Sequence, residues 1–250
     1  VTAFTCNVCG TRTTAETMAF SREGAACGGC GSTVRMRAAV AGLSTGLFGS
    51  VMPIQDFPRR PRRQGVGISD WSGYARRLRR VLDYRNTFVH RAPRLDMTAV
   101  PARERERYDF VIAIDVFEHV APPVRRAFEG AAALLKPGGV FVFSAPYTLD
   151  AETVEHFPDL RTHVLTTLLG RRCLVYESAS GELRLRTDLV FHGGDGATLE
   201  MRLFSRDDVL AHLRATGFTE IRILDDMPEW GIVYDNPCSR TIVSVKGSGG

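Results

Sequence analysis

Four of the six cysteines fall into two Cys-x-x-Cys pairs, Cys6/Cys9 and Cys27/Cys30, with seventeen residues between the pairs. That spacing fits a four-cysteine zinc site. Each pair is followed by a glycine, Gly10 and Gly31, and the second also encloses Gly28 and Gly29. Tight knuckles need such residues, because backbone amides must turn toward the thiolates and glycine tolerates positive φ. Four thiolates close a tetrahedral shell with no position left for water, so the expected role is structural. Two disulfides or a redox pair are the alternatives. A reducing compartment argues against the first, and the lack of a βαβ context argues against the second. A module of about 40 residues cannot build a sufficient core alone, so the metal would supply much of its folding free energy. Residues 1–36 are therefore read as a zinc ribbon, and the isolated Cys173 and Cys238 as packing residues.

Composition is that of a globular chain, 44% hydrophobic and 24% charged, with a net charge of +4. No apolar run approaches the roughly 18 residues of a membrane span. The first residues lack a basic stretch followed by an apolar one, so a cytoplasmic protein with no membrane partner is expected. Nearly all cations are arginine. Arg59, Arg60, Arg62 and Arg63 form one cluster and Arg76, Arg77, Arg79 and Arg80 another. Such clusters meet phosphate in some proteins, but a solvated linker and a solvated helix face explain them as well.

Residues 34–52 carry apolar positions at helical spacing, through Val34, Ala38, Ala41, Leu43, Leu47 and Val51, which predicts one or two short helices. Pro53, Pro58 and Pro61 follow, so residues 37–64 read as a helical and Pro/Arg-rich linker. From residue 65 strand and helix patterns alternate. Strands are expected at 65–68, 87–90, 110–115 and 140–144. Helices are expected at 69–82, with start signals at Ser69, Asp70 and Ser72, at 123–135, and at 206–216 after a Ser205 cap. Strands at 221–224 and 241–245 end the pattern. This alternation predicts a doubly wound, mostly parallel α/β sheet with helices on both faces. The block 176–202, containing His192-Gly193-Gly194, breaks the alternation and reads as a β insertion or lid.

Two stretches carry a family resemblance. Tyr108-Asp109-Phe110-Val111-Ile112-Ala113-Ile114-Asp115-Val116-Phe117-Glu118-His119-Val120 is similar to the fourth strand, with its terminal Glu-His, of class I S-adenosylmethionine-dependent methyltransferases. Leu134-Leu135-Lys136-Pro137-Gly138-Gly139-Val140-Phe141-Val142-Phe143-Ser144 is similar to that family's next helix end, turn and fifth strand. The resemblance covers residues 65–245 and implies a Rossmann-like domain, here taken as 65–250, with an antiparallel last strand. It also implies S-adenosylmethionine as cofactor.

The family's loop signature is an acidic residue followed by x-Gly-x-Gly-x-Gly, and this chain departs from it. Gly65-x-Gly67 is one possible register, with Arg63 in the acidic position. The preferred register aligns only the last glycine, at Gly73, leaves Gly67 in the acidic position, and makes Asp70 a substitute. By the same resemblance His90 stands where an acidic residue binds ribose, and Asp96, followed by Met97, stands where the adenine is contacted. Ser69, Asp70, Gly73, His90, Asp96, Met97, Asp115 and Glu118 are then the expected cofactor residues, at the carboxyl ends of the strands.

Methyl transfer from a sulfonium is an in-line displacement in which alignment supplies much of the rate. A hydroxyl acceptor would need a base, and His119, His156 and His192 are the candidates. The resemblance points to bacterial sugar and natural-product methyltransferases, hence to a small-molecule hydroxyl as acceptor. An RNA methyltransferase, and a cofactor-free scaffold on an altered loop, are the competing readings.

Overall fold

The buried run Tyr108–Ile114 lies at the centre of a six-stranded sheet in the computed structural model, which describes residues 2–15, 21–24, 26–59, 61–192 and 198–248. Arg60, Gly193 and Gly194 lie outside the described residues. β1 (Thr2–Thr5) and β2 (Arg12–Ala15) form an antiparallel hairpin in the cysteine module. After α1 (Val34–Phe48) come β3 (Gln64–Ile68), α2 (Ser72–Val81), β4 (Asp83–Thr87), β5 (Tyr108–Ile114), α3 (Arg125–Leu134) and β6 (Leu135–Ser144). A run of short, mostly antiparallel pieces follows: β7 (Tyr147–Thr148), β8 (Val154–Glu155), β9 (Leu160–Leu168), β10 (Arg171–Ser178), β11 (Leu183–Arg186), β12 (Phe191–His192), β13 (Thr198–Leu199) and β14 (Arg202–Ser205), of which β7 pairs with β14 in parallel. Then α4 (Arg206–Ala215), β15 (Phe218–Ile223) and β16 (Ile242–Lys246) return to the main sheet.

The main sheet runs β15-β16-β6-β5-β3-β4. β4, β3, β5 and β6 are parallel; β16 is antiparallel to both β6 and β15. This is the expected mostly parallel α/β sheet with an antiparallel last strand. No described helix is long and apolar enough to cross a membrane.

Several boundaries move. The second strand is Asp83–Thr87, not 87–90, because it pairs residue for residue with Gln64–Ile68 and both end together. β4 is the sheet edge, and the described chain from Phe88 to Arg107 adds no further strand to it. α2 starts at Ser72, with Trp71 in the cap position and no side-chain cap bond; the Asp70 carboxyl is drawn to two tyrosines instead. The Ser205 cap is made, accepting a bond from the Asp208 amide at 3.4 Å. The antiparallel excursion begins at Leu160, well before residue 176, and has its own small core of Phe157, Leu160, Leu174, Tyr176, Leu199 and Met201.

The stretch 37–64 is not simply a linker. α1 is one 15-residue helix lying on the sheet. A Cβ on Gly46 would come 2.5 Å from Val140, and one on Gly42 2.9 Å from Val243, so the small residues set how closely helix and sheet approach. The cysteine module shares this face: Phe4, Cys6, Val8 and Cys27 belong to the same buried cluster as α1, α2 and Phe110. α3 and α4 cover the opposite face.

Arg37, fully buried, fastens the three pieces of this face together. Its guanidinium donates to the Gly231 carbonyl at 2.7 and 3.1 Å and to the Ser32 carbonyl, and it lies 4.7 Å over the Phe4 ring. Its own carbonyl accepts from Asn7 at 2.8 Å. Replacing it with an apolar side chain strands two buried carbonyls, each costing about 1–3 kcal/mol. Arg37→Met is expected to lose about 3 kcal/mol in urea unfolding; a change below about 0.5 kcal/mol would show that the guanidinium does not join these parts.

Candidate active site at the carboxyl edge of the sheet

β3 and β5 are neighbours, but the chain leaves them toward opposite sides of the sheet, to β4 and to β6. A crevice outside the carboxyl ends of the strands at such a reversal is where open α/β sheets bind ligands. The two residues that leave these strands, Ser69 and Asp115, both have positive φ, 58° and 55°. Non-glycine residues hold this conformation at a cost, and they concentrate at functional turns. Ser69 is held by its amide donating to Thr87 O at 2.7 Å, Asp115 by its amide donating to Ser144 O at 2.9 Å.

Asp70 is 5% exposed and accepts hydrogen bonds from Tyr74 (2.7 Å) and Tyr84. Its backbone is paired twice with the Asn86 amide, at 2.9 and 2.8 Å. A Cβ on Gly67 would fall 2.0 Å from an Asp70 carboxylate oxygen and 1.9 Å from the Tyr84 hydroxyl. Asp70 therefore puts a carboxyl in the space that a side chain at Gly67 would enter. It serves to hold the loop, since both oxygens are engaged from within. Burial raises its pKa to about 7, against the lowering effect of the Tyr84 and Tyr74 hydroxyls. At Gly73 the Trp71 indole fills the Cβ position.

Asp115 has the opposite environment. Arg22 from the cysteine module donates to it with both terminal nitrogens, one at 2.8 Å, and Arg35 from the first turn of α1 lies 3.0 Å away. The Ser144 hydroxyl donates at 2.8 Å. Burial works against its ionisation, but the Arg22 and Arg35 guanidiniums and Ser144 outweigh it and hold the carboxyl below its usual range. Arg22 and Arg35 escaped sequence reasoning because neither belongs to a motif; only folding of the cysteine module onto the sheet brings them here.

One turn beyond, Phe117–His119 is a 3-10 turn in which Glu118 is fully buried and His119 partly so. His119 Nδ1 donates to Leu199 O at 2.8 Å and its Nε2 lies 3.6 Å from Glu118. His192 reaches in from β12, 3.8 Å from Glu118 through Nδ1 and 2.5 Å from Glu200 through Nε2. Glu200 also holds His156 Nε2 at 2.7 Å. Burial pushes Glu118 up to about 7 despite the facing His192, and lowers His119; the facing Glu118 raises His192. All three candidate histidines thus meet around two glutamates. Glu200 was missed, having no motif and lying in the excursion.

The other expected cofactor residues do not join these groups. His90 is exposed, three residues beyond the end of β4, where Thr87 stands instead with its hydroxyl bonded to Gly67 O at 2.9 Å. Asp96 is exposed and closes its own turn, accepting from the Thr98 amide at 2.8 Å and hydroxyl at 2.7 Å. Met97 is 3% exposed and packs in the core with Leu95, Val66 and α3 residues. Two surface cavities, about 380 and 330 Å³, lie away from the edge beside α3, lined by Arg105, Ala133 and their neighbours. Only the second includes one of the expected residues, Met97, and neither touches Asp115 or Glu118.

In the cysteine module the paired sulfurs stand 3.7 Å apart, Cys6 to Cys30 and Cys9 to Cys27, and all four lie within 4.8 Å of one another. No disulfide joins them, and the four sulfurs are grouped as ligands of one ion would be. Four sulfurs at 2.3 Å from one tetrahedral ion would be about 3.8 Å apart. The two knuckles repeat each other: Gly10 N donates to Cys6 O and Gly31 N to Cys27 O, each at 2.7 Å, with φ of 77° and 74°.

The family described as a methyltransferase domain matches residues 45–221, more than half the chain. No curated protein sequence matches. Among solved structures, the chain is similar to the CurJ carbon methyltransferase at 17% identity and a TM-score of 0.47, covering 78% of this chain and 51% of that one. It therefore spans about half the length of that relative. It is also similar to the 1,6-didemethyltoxoflavin-N1-methyltransferase of Burkholderia thailandensis (15% identity, TM-score 0.45, 86% and 79% covered). A third is CalS10, an amino pentose methyltransferase of Micromonospora echinaspora (16% identity, TM-score 0.46, 86% and 92% covered). Likeness at this level does not extend to substrate.

Asp70 generates a pH signature. Its pKa rises from 3.8 to about 7 on folding, so the folded chain holds a proton that the unfolded chain releases. That contribution to stability is complete below about pH 4 and is lost as pH rises through 7. The melting temperature of the wild type relative to Asp70→Asn is expected to fall between pH 5 and pH 8; a pH-independent difference would remove the assignment.

Proposed function

Because the chain belongs to the methyltransferase-domain family, we propose that it transfers a methyl group from S-adenosylmethionine to a small-molecule acceptor at the carboxyl edge between β3 and β5. One observation carries the reading. At the strand reversal a partly buried carboxylate, Asp115, is flanked by two guanidiniums, Arg22 and Arg35. The amino-acid end of the cofactor presents an ammonium beside a carboxylate, and this set offers a partner for each. Asp115 would take the ammonium, and Arg22 and Arg35 the carboxylate. The residues present therefore fit the cofactor at this end. Ser69 leaves β3 at the same edge, while Asp70 acts through the loop that it holds.

Bound, the cofactor supplies an electrophilic methyl group whose leaving thioether needs no proton. The protein's share is then to align the acceptor and receive the acceptor's proton. We assign that proton to His156 Nδ1. Glu200 fixes the ring by its bond to Nε2, and Nδ1 has no hydrogen-bond partner among the described residues. A hydroxyl of a sugar or natural product is the acceptor that such a base suits. Cys6, Cys9, Cys27 and Cys30 would hold a structural zinc ion, through which the module keeps Arg22 in place.

Calorimetric titration of the folded protein with S-adenosylmethionine tests the proposal. Asp115→Ala is expected to weaken binding at least tenfold, the loss of one contact to a charged group at about 1.5–3 kcal/mol. No binding by the folded wild type would overturn the reading. Cys9→Ser is expected to lower both thermal stability and cofactor affinity, since the module that carries Arg22 would loosen; unchanged affinity would separate the ribbon from the site.

A further inference from the structure

Glu118 is buried completely, yet neither of its carboxylate oxygens has a hydrogen-bond partner among the described residues. A buried carboxyl group left in this way is costly, and native proteins pair such groups. Its surroundings make the omission informative. His119 Nδ1 sits 2.8 Å from a carbonyl, Leu199 O, which can only accept, so Nδ1 carries the proton and Nε2 is a bare lone pair. That lone pair faces Glu118 Oε1 at 3.6 Å. His192 is arranged likewise: its Nε2 is bound to Glu200 at 2.5 Å, and its Nδ1 faces Glu118 Oε1 at 3.8 Å. The two rings are 5.0 Å apart and nearly perpendicular. Electron-pair donors from three residues thus converge with nothing positive between Glu118 and His119.

From this convergence we infer a divalent-cation site formed by Glu118, His119 and His192, separate from the four cysteines. One donor atom from each lies within 4.8 Å of the others. Ligands about 2.0–2.2 Å from one ion stand roughly 3–4 Å apart, so a small inward movement completes the set. The supporting bonds have the form found around metal-bound histidines, whose second ring nitrogen is held by a carbonyl or a carboxylate. Here Leu199 O and Glu200 do this. Two imidazoles and one carboxylate, with no thiolate, suit a first-row divalent cation such as Zn²⁺, Mn²⁺, Fe²⁺ or Co²⁺. The inference rests on these donors and does not depend on methyl transfer. The competing occupant is a proton, with His192 held as imidazolium between Glu118 and Glu200.

The experiment uses the whole chain. Metal bound as purified is measured first, and the protein is then titrated calorimetrically with Mn²⁺ and, separately, with Co²⁺. Bound plus added cations are expected to reach one per chain beyond the cysteine complement, with Co²⁺ at this site giving no thiolate charge-transfer absorption. His192→Ala and the shape-preserving Glu118→Gln should each weaken this binding at least tenfold, with the fold checked by circular dichroism. Cys9→Ser should leave it in place. No cation beyond the cysteine complement, or binding undiminished in a folded Glu118→Gln, would overturn the site and leave the proton as the occupant.

Discussion

The buried guanidinium of Arg37 is the interaction on which this architecture turns. It ties the second knuckle at Ser32, the loop at Gly231 and the Phe4 ring to one helix, and that helix lies on the sheet. The cysteine module is consequently part of the sheet's covering layer, sharing a core with α1 and α2. Burying a cation is costly, and the backbone carbonyls of Gly231 and Ser32 supply acceptors for this one. With the module fixed, Arg22 reaches Asp115 at the carboxyl end of β5.

Two aspartates at this edge show how environment divides a common chemistry. Asp70 has only hydroxyls for company, so burial prevails and its carboxyl keeps a proton to near neutrality. Asp115 is a little more exposed, and two guanidiniums and the Ser144 hydroxyl keep it ionised. The first is suited to holding a loop and the second to meeting a charged ligand. The altered glycine loop is understandable in these terms. Gly67 makes room for the Asp70 carboxyl, which arrives from three residues further along the chain and brings Tyr74 and Tyr84 into one network.

The antiparallel excursion does for Glu118 what the cysteine module does for Asp115. Leu199 ends β13 and Glu200 follows it, His192 reaches in from β12, and His156 comes from the chain before β9. All close over a turn that follows a strand of the main sheet. Both halves of the edge are therefore completed by segments outside the α/β alternation. The turns after the main-sheet strands supply Asp115 and Glu118, and the added segments supply Arg22, His156, His192 and Glu200 around them.

What the sequence alone determined was periodic or covalently local. The cysteine pairs announced a four-thiolate cluster, because a knuckle is built from adjacent residues. The apolar run at 110–114 and the helix–turn–strand pattern at 134–144 announced a parallel sheet, because burial on both faces demands continuous apolar sequence. Ser205 announced a helix start by its own hydroxyl. Asp115, Glu118 and the three histidines were also legible, through motif and residue type. Tertiary structure decided the rest. It ended β4 at Thr87 through register with β3, which took His90 out of the edge, and it turned Asp96 onto Thr98. It made α1 a layer of the domain through two glycines matched to valines on strands about 100 and 200 residues away. It also brought Arg22 to Asp115 across 93 positions, and Glu200 to His156 across 44. Pairings of that range leave no periodic trace, since their cost and reward are settled only when the whole chain has closed.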